Sequence, residues 1–211
     1  MADSAKLYDT IVNGNAKDAV AITKEALAEN ADPLELVTRY MIPAMDEVGR
    51  RFECEDYFVP ELLLAARAMK GAMELIRPLL VERGAEPSGR VVIGTVKGDL
   101  HDIGKNLVAS MLEGGGFEVV DLGADVAPEK FVEAVEQKSA NVVCLSALLT
   151  VTMPSMKTTI AALNDAGLRG RVKVLVGGAP VTQQYADEIG ADGYAENAGA
   201  AVKLARTITK V

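Results

Sequence analysis

The sequence has 211 residues, of which 49% are apolar and 25% are charged, a balance typical of a globular protein with a sizeable core. Its net charge of −8 argues against nucleic acid as a main partner, because no basic stripe is present to neutralise phosphates. No apolar run approaches the roughly 20 residues that a membrane span requires, and residues 2–6 do not begin a signal peptide. We therefore expect a cytoplasmic protein with no membrane partner.

Residues 1–82 carry apolar side chains at the spacings of three and four that predict amphipathic helices. Asp32 and Pro33 form a start signal, because aspartate caps a helix well and proline is tolerated at its first position. Pro43 predicts either two helices or one kinked helix around it. The predicted helical segments are 7–12, 16–27, 34–41, 44–52 and 61–81. We expect a small all-α bundle over residues 1–88, which ends in a linker rich in glycine, proline and serine.

From residue 89 onward the apolar pattern changes its period. Short apolar runs bounded by glycines or polar residues predict buried strands, at 91–96, 118–122, 142–146, 172–176 and 192–195. Helical patterns alternate with these strands, at 105–112, 129–137, 153–163, 183–189 and 198–207. Such alternation indicates a parallel sheet covered on both faces. We expect a flavodoxin-like (Rossmann-type) doubly wound α/β domain over residues 89–211, with strand order 2-1-3-4-5.

The stretch Gly98-Asp99-Leu100-His101-Asp102-Ile103-Gly104 follows the first predicted strand and leads into a helix. His101 is the single histidine of the sequence, so any imidazole chemistry must occur here. Asp99 is placed to accept a hydrogen bond from one ring nitrogen, which would leave the other free to coordinate a metal. The alternative is a helix-capping loop whose histidine satisfies only local backbone groups, and this short pattern taken by itself favours that alternative.

The predicted strand order brings further small residues to the same sheet edge. The topological switch lies between strands one and three, so the His101 loop and the loop after Ser146 flank a crevice. Gly177 and Gly178 end strand four, and Gly193 lies in strand five. Because glycines place no side chain between backbone and ligand, a large flat or elongated ligand is expected there. For the glycines taken alone, the alternative is that they serve only to form turns.

Three separated motifs, in this order and on this fold, resemble the signature of cobalamin-binding domains of the base-off, His-on type. The motifs are Asp99-x-His101-x-x-Gly104, Ser146-x-Leu148 and Gly177-Gly178. Residues 102–106 and 120–123 extend the resemblance to the methyltransferase branch, whose helical cap domain is similar to residues 45–49 and 58–69. The sequence resembles the corrinoid-binding module of cobalamin-dependent methionine synthase, and it looks most like the free corrinoid proteins of anaerobic methyltransferase systems.

The resemblance implies that His101 is the lower axial ligand of a corrinoid cobalt, in place of the cofactor's own benzimidazole. Asp99 would bond the other ring nitrogen, and Thr152 stands where methionine synthase has a serine as the third member of this relay. Gly104 would let the nucleotide tail of the cofactor pass close to the helix start, and Phe58 would cover the methyl-bearing face. The channel for the tail would be lined by Ser146, Leu148, Gly177 and Gly178.

The resemblance also implies a methyl carrier that catalyses nothing alone. A substrate:corrinoid methyltransferase would load the methyl group, a second methyltransferase would pass it to tetrahydrofolate, a pterin or a thiol, and a reductive activase would rescue oxidised cobalt. A corrinoid-dependent sensor is the main alternative, but residues 1–32 are too short and too acidic for its usual DNA-binding domain. The corrinoid subunit of a mutase would lack the helical cap, and a phospho-receiver domain would need an acidic cluster and a lysine at other strand ends.

Overall fold

The computed structural model describes residues 5–84 and 87–209, which belong to two compact units. We call Met1–Pro87 with Ser110–Gly116 the helical unit, and Ser88–Ala109 with Phe117–Val211 the sheet unit. The domain boundary after residue 88 stays a prediction, and part of the predicted linker, residues 85 and 86, lies outside the described residues. No helix in the described part of the chain is long and apolar enough to cross a membrane.

The helical unit consists of helices of very different lengths packed around a core that includes leucine, isoleucine and methionine side chains. Its helices are α1 (Ala5–Val12), α2 (Ala16–Ala28), α3 (Pro33–Glu35), a π-helical stretch (Leu36–Met41), α4 (Ile42–Glu53) and α5 (Val59–Glu82). As predicted, the Asp32 side chain accepts a hydrogen bond from the Leu34 N–H at 3.2 Å, and Pro33 occupies the first turn. Nearly complete burial marks the core side chains Leu7, Ile11, Leu36, Met41, Leu62, Met69 and Ile76.

Pro43 does not separate two helices, because the chain stays helical from Pro33 to Glu53. Proline lacks an N–H, and in an α-helix its ring collides with the carbonyl group of the preceding turn. The wider π-helical turn over Leu36–Met41 lies immediately before Pro43. Such bulges place the carbonyl groups of the preceding turn further from the proline ring and so keep the run continuous.

The sheet unit alternates strands and helices throughout. Its strands are β1 (Arg90–Thr95), β2 (Glu118–Asp121), β3 (Val142–Ser146), β4 (Lys173–Gly177) and β5 (Gly193–Tyr194). Its helices are α6 (Ile103–Gly114), α7 (Pro128–Lys138), α8 (Pro154–Asp165), α9 (Gln183–Ile189) and α10 (Ala198–Thr209). The residues of α6 from Ser110 onward belong to the helical unit. All strand pairs are parallel and the order is β2-β1-β3-β4-β5, which confirms the predicted fold class and topology.

The strand register brings the three sequence motifs to one sheet edge. Thr95 pairs with Ser146 across β1 and β3, and Ser146 pairs with Gly177 across β3 and β4. The loops that follow these three strands therefore begin side by side at the carboxyl edge, where open α/β sheets bind ligands. Beneath them, the core packs Phe131 of α7 and Ile160 of α8 against the sheet.

Candidate functional site

Asp99 is the centre of the site, and its side chain is fully buried. One carboxylate oxygen, Oδ1, accepts the backbone N–H of His101 at 3.0 Å and lies 2.8 Å from the ring Nδ1 of His101. A carboxylate only accepts, so Nδ1 donates to Asp99, and Nε2 is the ring nitrogen that is not engaged by this contact. The imidazole side chain is 50% exposed, and the Thr95 hydroxyl anchors the loop by donating to the His101 carbonyl oxygen at 2.9 Å. The loop therefore presents an imidazole ring whose orientation is fixed through Nδ1.

The second oxygen of Asp99, Oδ2, binds the loop that follows β3. It accepts the backbone N–H groups of Leu148 at 2.8 Å and Leu149 at 3.3 Å, and the Thr152 hydroxyl at 2.7 Å. The Thr152 oxygen also lies 2.8 Å from the Leu149 carbonyl oxygen. A hydroxyl has one proton, and the charged acceptor is the stronger one. Asp99 thus joins the loop that carries His101 to the loop after Ser146, as the predicted relay requires.

The hydrogen bonds set the protonation state of Asp99. Burial alone would raise the pKa of this carboxyl group, because it penalises the charged form. Hydrogen bonds from the Thr152 hydroxyl, the backbone of His101 and Leu148, and the His101 ring outweigh burial and hold the pKa well below its usual range. Asp99 therefore remains a carboxylate at neutral pH and keeps a negative charge beside the imidazole.

Exposed apolar side chains surround this pair on the two joined loops. In the described part of the sheet unit, every exposed large apolar side chain lies on these loops or at the start of α6. They are Leu100 at 76%, Ile103 at 82%, Leu148 at 43%, Leu149 at 42% and Val151 at 80% exposure. We call these five residues the apolar rim. Apolar side chains concentrated at one place mark a binding surface, and a rim around a free imidazole nitrogen suits a flat apolar ligand with a metal at its centre.

Comparison with known proteins identifies the family. Two family models, both described as B12 binding domain, match residues 89–203 and 4–77. The chain belongs to the B12-binding corrinoid proteins. It is 45% identical over 209 residues to trimethylamine corrinoid protein 2 of Methanosarcina mazei, which covers 98% of this chain and 96% of that one. It is also 45% identical over 193 residues to dimethylamine corrinoid protein 1 of Methanosarcina acetivorans, covering 91% of each.

Solved structures agree with this assignment. A cobalamin-binding protein from Desulfitobacterium hafniense DCB-2 matches with a TM-score of 0.80 and 32% identity, and the match covers 98% of each chain. A chain of the methanol:cobalamin methyltransferase complex MtaBC from Methanosarcina barkeri matches with a TM-score of 0.84 and 30% identity, over 97% of this chain and 78% of that one. The resemblance to corrinoid-binding proteins of methyltransferase systems is confirmed, and the chain is a corrinoid-binding protein.

The glycines of the motifs differ in what requires them. Gly178 has φ +131°, and a Cβ there would lie 1.9 Å from the Ala147 carbonyl oxygen, so the protein's own backbone requires this glycine. A Cβ at Gly177 would lie 3.0 Å from the Ala195 carbonyl oxygen, a tight contact within the chain. Gly104 is different, because a Cβ there would meet nothing within 4 Å and its backbone is helical. The open space above Gly104 fits the close approach of a corrinoid tail.

The other predicted site residues are placed as follows. Ser146 is half-buried at the end of β3, where its carbonyl oxygen accepts the Val96 N–H at 3.0 Å. Phe58 lies in the helical unit as the residue before α5; the residue is 65% exposed, and its N–H donates to the Glu61 carboxylate at 2.9 Å. The structure thus brings Asp99, His101, Leu148 and Thr152 together by direct contact. The individual roles of all these residues toward the corrinoid stay predictions.

Sequence reasoning missed three residues that support the site loops. The Asp125 carboxylate accepts the Gly98 N–H at 2.8 Å, and the Tyr185 hydroxyl donates to the Met153 carbonyl oxygen at 2.7 Å. Lys105 is almost fully buried and forms an ion pair with Asp121. Each follows from topology, because Asp125 and Tyr185 lie on loops or helices that leave the carboxyl edge, and Lys105 lies in the first turn of α6. The predicted strand order was enough to place Asp125 beside the His101 loop.

Proposed function

We propose that the protein carries a methyl group on the cobalt of a bound corrinoid, between a substrate:corrinoid methyltransferase and a second methyltransferase. The observation that carries the proposal is the half-exposed His101 ring, held by the buried Asp99 carboxylate inside the apolar rim. Support for the methyltransferase partner comes from the similar chain in the MtaBC complex and from relatives named for trimethylamine and dimethylamine. A reductive activase that rescues oxidised cobalt completes the proposed system.

The residues present fit a corrinoid bound at the carboxyl edge of the sheet. His101 Nε2 would be the lower axial ligand, in place of the benzimidazole, and the apolar rim would contact the macrocycle. The tail would pass over the open position at Gly104 and along Ser146, Leu148 and the Gly177-Gly178 turn. The exposed apolar start of α5, with Phe58, would shield the methyl-bearing face. The corrinoid would supply the cobalt that accepts and releases the methyl group.

The chain's own contribution is to control the axial ligand. Asp99 accepts from Nδ1 and so leaves Nε2 as the nitrogen that would coordinate the metal. Thr152 donates to the other carboxylate oxygen and so fixes the orientation of Asp99. The two residues would thereby hold the imidazole ring in one orientation toward the corrinoid.

The axial ligand can be tested directly because the sequence has one histidine. Protein grown with ¹⁵N-labelled histidine and loaded with corrinoid in the Co(II) state is measured by electron paramagnetic resonance. We expect hyperfine splitting from a single ¹⁵N nucleus, and loss of that splitting in His101→Ala. Splitting from the ¹⁴N of the cofactor's benzimidazole in the labelled wild type would contradict ligation by His101.

The carrier role is tested by transfer. Corrinoid-loaded protein in the Co(I) state is incubated with methylamine methyltransferases and their substrates, with a methanol methyltransferase for comparison, and methylation is followed by absorbance. We expect stoichiometric methylation with one class of partner and demethylation by a second methyltransferase. Failure with every partner, combined with light-dependent binding to duplex DNA, would favour the sensor alternative instead.

A further inference from the structure

The loop between β2 and α7 runs alongside the loop that carries His101. The Gly123 carbonyl oxygen accepts the Thr95 N–H at 2.9 Å, and the Val126 N–H donates to the Thr95 carbonyl oxygen at 3.0 Å. Val96 and Val126 also form an isolated parallel bridge. These contacts extend the β1–β2 pairing past the strand ends. They bring Asp125, between Gly123 and Val126, next to the backbone of Gly98 and Asp99.

Asp125 holds this backbone at two consecutive residues. Its N–H donates to the Asp99 carbonyl oxygen at 2.9 Å, and its Oδ1 accepts the Gly98 N–H at 2.8 Å. Asp99 is therefore fixed on one side by Asp125 and on the other by its own N–H, which donates to the Val96 carbonyl oxygen at 3.1 Å. The only other charged group that the structure shows at Asp125 is the exposed Lys97 ammonium, 3.4 Å from the same Oδ1.

The backbone of Asp125 adopts a left-handed conformation in making these contacts. Its φ is +53°, in a region that most non-glycine residues rarely occupy but that aspartate and asparagine tolerate. Gly98 has φ +86°, so both partners of this hydrogen bond are in that region. The Gly98 N–H, and after it Lys97, lower the pKa of Asp125, so it is a carboxylate at neutral pH.

We propose that Asp125 is a positioning residue for the cobalt-ligand loop, by which we mean residues 96–102, between β1 and α6, which carry the proposed ligand His101. By holding the Gly98 N–H and the Asp99 carbonyl oxygen, it fixes the main chain from which the Asp99 carboxylate reaches His101 Nδ1. Loss of the side chain would let residues 97–101 relax, so that the 2.8 Å contact between Asp99 Oδ1 and Nδ1 is made only part of the time. This inference rests on the proposed role of His101 as the axial ligand, and its test separates the two.

Two substitutions isolate the side chain from the backbone. Asp125→Gly removes the carboxylate but adopts φ +53° without strain, so the variant is expected to fold. Asp125→Asn keeps an oxygen acceptor for the Gly98 N–H and tolerates the left-handed region. Ser139→Gly is the matched control, because Ser139 has φ +50° at the end of α7 and none of its hydrogen bonds involves the cobalt-ligand loop.

The first measurements use the protein without corrinoid. Nuclear magnetic resonance gives the ¹⁵N shifts of the His101 ring, which report the tautomer, and hydrogen exchange gives the protection of the Gly98 and His101 amides. We expect Asp125→Gly to lower both protections and to increase the fraction of rings protonated on Nε2, by about two- to fivefold. Asp125→Asn should stay close to wild type, Ser139→Gly should equal it, and protection of the β3 amides should change in none of them.

The last measurement uses the corrinoid-loaded proteins in the Co(II) state. The ratio of histidine-ligated to unligated cobalt should fall about two- to fivefold in Asp125→Gly and not in Ser139→Gly. A wild-type tautomer and wild-type ligation ratio in Asp125→Gly would overturn the inference. If instead the wild type itself shows no histidine nitrogen on cobalt while the ring measurements come out as expected, the inference stands and the proposed axial ligand fails.

Discussion

Asp99 and Thr152 have unequal shares in holding the imidazole. Asp99 is a buried charge with hydrogen bonds to both oxygens, whereas Thr152 adds one neutral donor to a carboxylate that also accepts two backbone N–H groups on the same oxygen. Replacing Asp99 removes the charged acceptor of the imidazole N–H, while removing the Thr152 hydroxyl changes mainly the orientation of the carboxylate. We therefore expect substitution of Asp99 to have a larger effect than substitution of Thr152.

We expect Asp99→Asn to raise the Co(II)/Co(I) potential, because an amide weakens the histidine ligand and so stabilises ligated Co(II) less. Thr152→Ala should raise it by less, since one neutral hydrogen bond is worth about 1 kcal/mol. Thr152→Ser, which keeps the hydroxyl, is the control and should match wild type. Spectroelectrochemical titration measures all three variants. A larger shift from Thr152→Ala than from Asp99→Asn would contradict this order.

The depressed pKa of Asp99 also has a consequence for stability. A carboxylate whose pKa is lower in the folded than in the unfolded state stabilises the fold fully above the unfolded value, and that contribution is lost as pH falls through the folded value. The free energy of unfolding of the corrinoid-free protein, measured with urea, should therefore decrease from about pH 4 downward. Asp99→Asn should lower stability at pH 7 and show a shallower loss below pH 4 than Asp187→Asn, a control at an exposed helix position. If the free energies of unfolding of the two variants fell in parallel below pH 4, Asp99 would contribute nothing to the loss of stability in acid.

Gly104 offers a test in which stability and binding should change in opposite directions. Apart from its chain neighbours and its own helix backbone, no atom of residues 5–84 or 87–209 lies within 4 Å of a Cβ added there, so Gly104→Ala should raise the free energy of unfolding of the corrinoid-free protein by about 0.5–1 kcal/mol. If the corrinoid tail passes there, the added methyl group should weaken corrinoid binding severalfold. Thr158→Ala, at an exposed position of α8, is the control that raises helix propensity without approaching the site. Unchanged corrinoid affinity in Gly104→Ala would show that the tail runs elsewhere.

At the scale of elements, the periodicity of apolar residues in the sequence was enough to predict most of the fold. Alternating strand and helix periods predicted every strand and helix of the sheet unit to within two residues, and topology rules gave the strand order. The sequence left open whether Pro43 separates two helices or lies within one, because no residue pattern predicts the π-helical stretch before it. Within the site, the spacing of Asp99 and His101 predicted their contact, and the resemblance to methionine synthase implied that Thr152 lies beside Asp99. The strand order places Asp125 beside the His101 loop, but its two hydrogen bonds to that loop depend on a left-handed backbone that the sequence pattern does not predict.

The start of α5 has an apolar surface whose role can be tested separately from the helix itself. Phe58, Leu63 and Leu64 are exposed there, so Phe58→Ala should change the free energy of unfolding little. If the ring shields the methyl group, photolysis of the methylated protein should become faster, because the radical pair separates more readily. Val81→Ala removes an exposed apolar side chain near the other end of α5 and is the control. Equal photolysis rates in wild type and Phe58→Ala would show that Phe58 does not shield the methyl group.

At the scale of the whole molecule, the question is whether one unit or both take part in holding the corrinoid. A bound ligand stabilises the part of a protein that must open to release it, by about 2.7 kcal/mol when the ligand concentration is 100 times the dissociation constant. Hydrogen exchange with and without corrinoid measures this added stability for each unit separately. The amides of β3 report on the sheet unit, and those of Leu62–Met69 in α5 report on the helical unit.

We expect corrinoid to slow exchange in both sets of amides, because the axial ligand belongs to the sheet unit and the proposed shield to the helical unit. The comparison of wild type with His101→Ala supplies the control, since loss of the axial ligand should reduce protection in β3 first. Phe58→Ala should reduce the added protection in α5 while leaving that in β3 nearly unchanged. Slower exchange confined to β3 in the wild type would show that the helical unit does not cover the bound corrinoid, and that shielding of the methyl group must come from a partner methyltransferase instead.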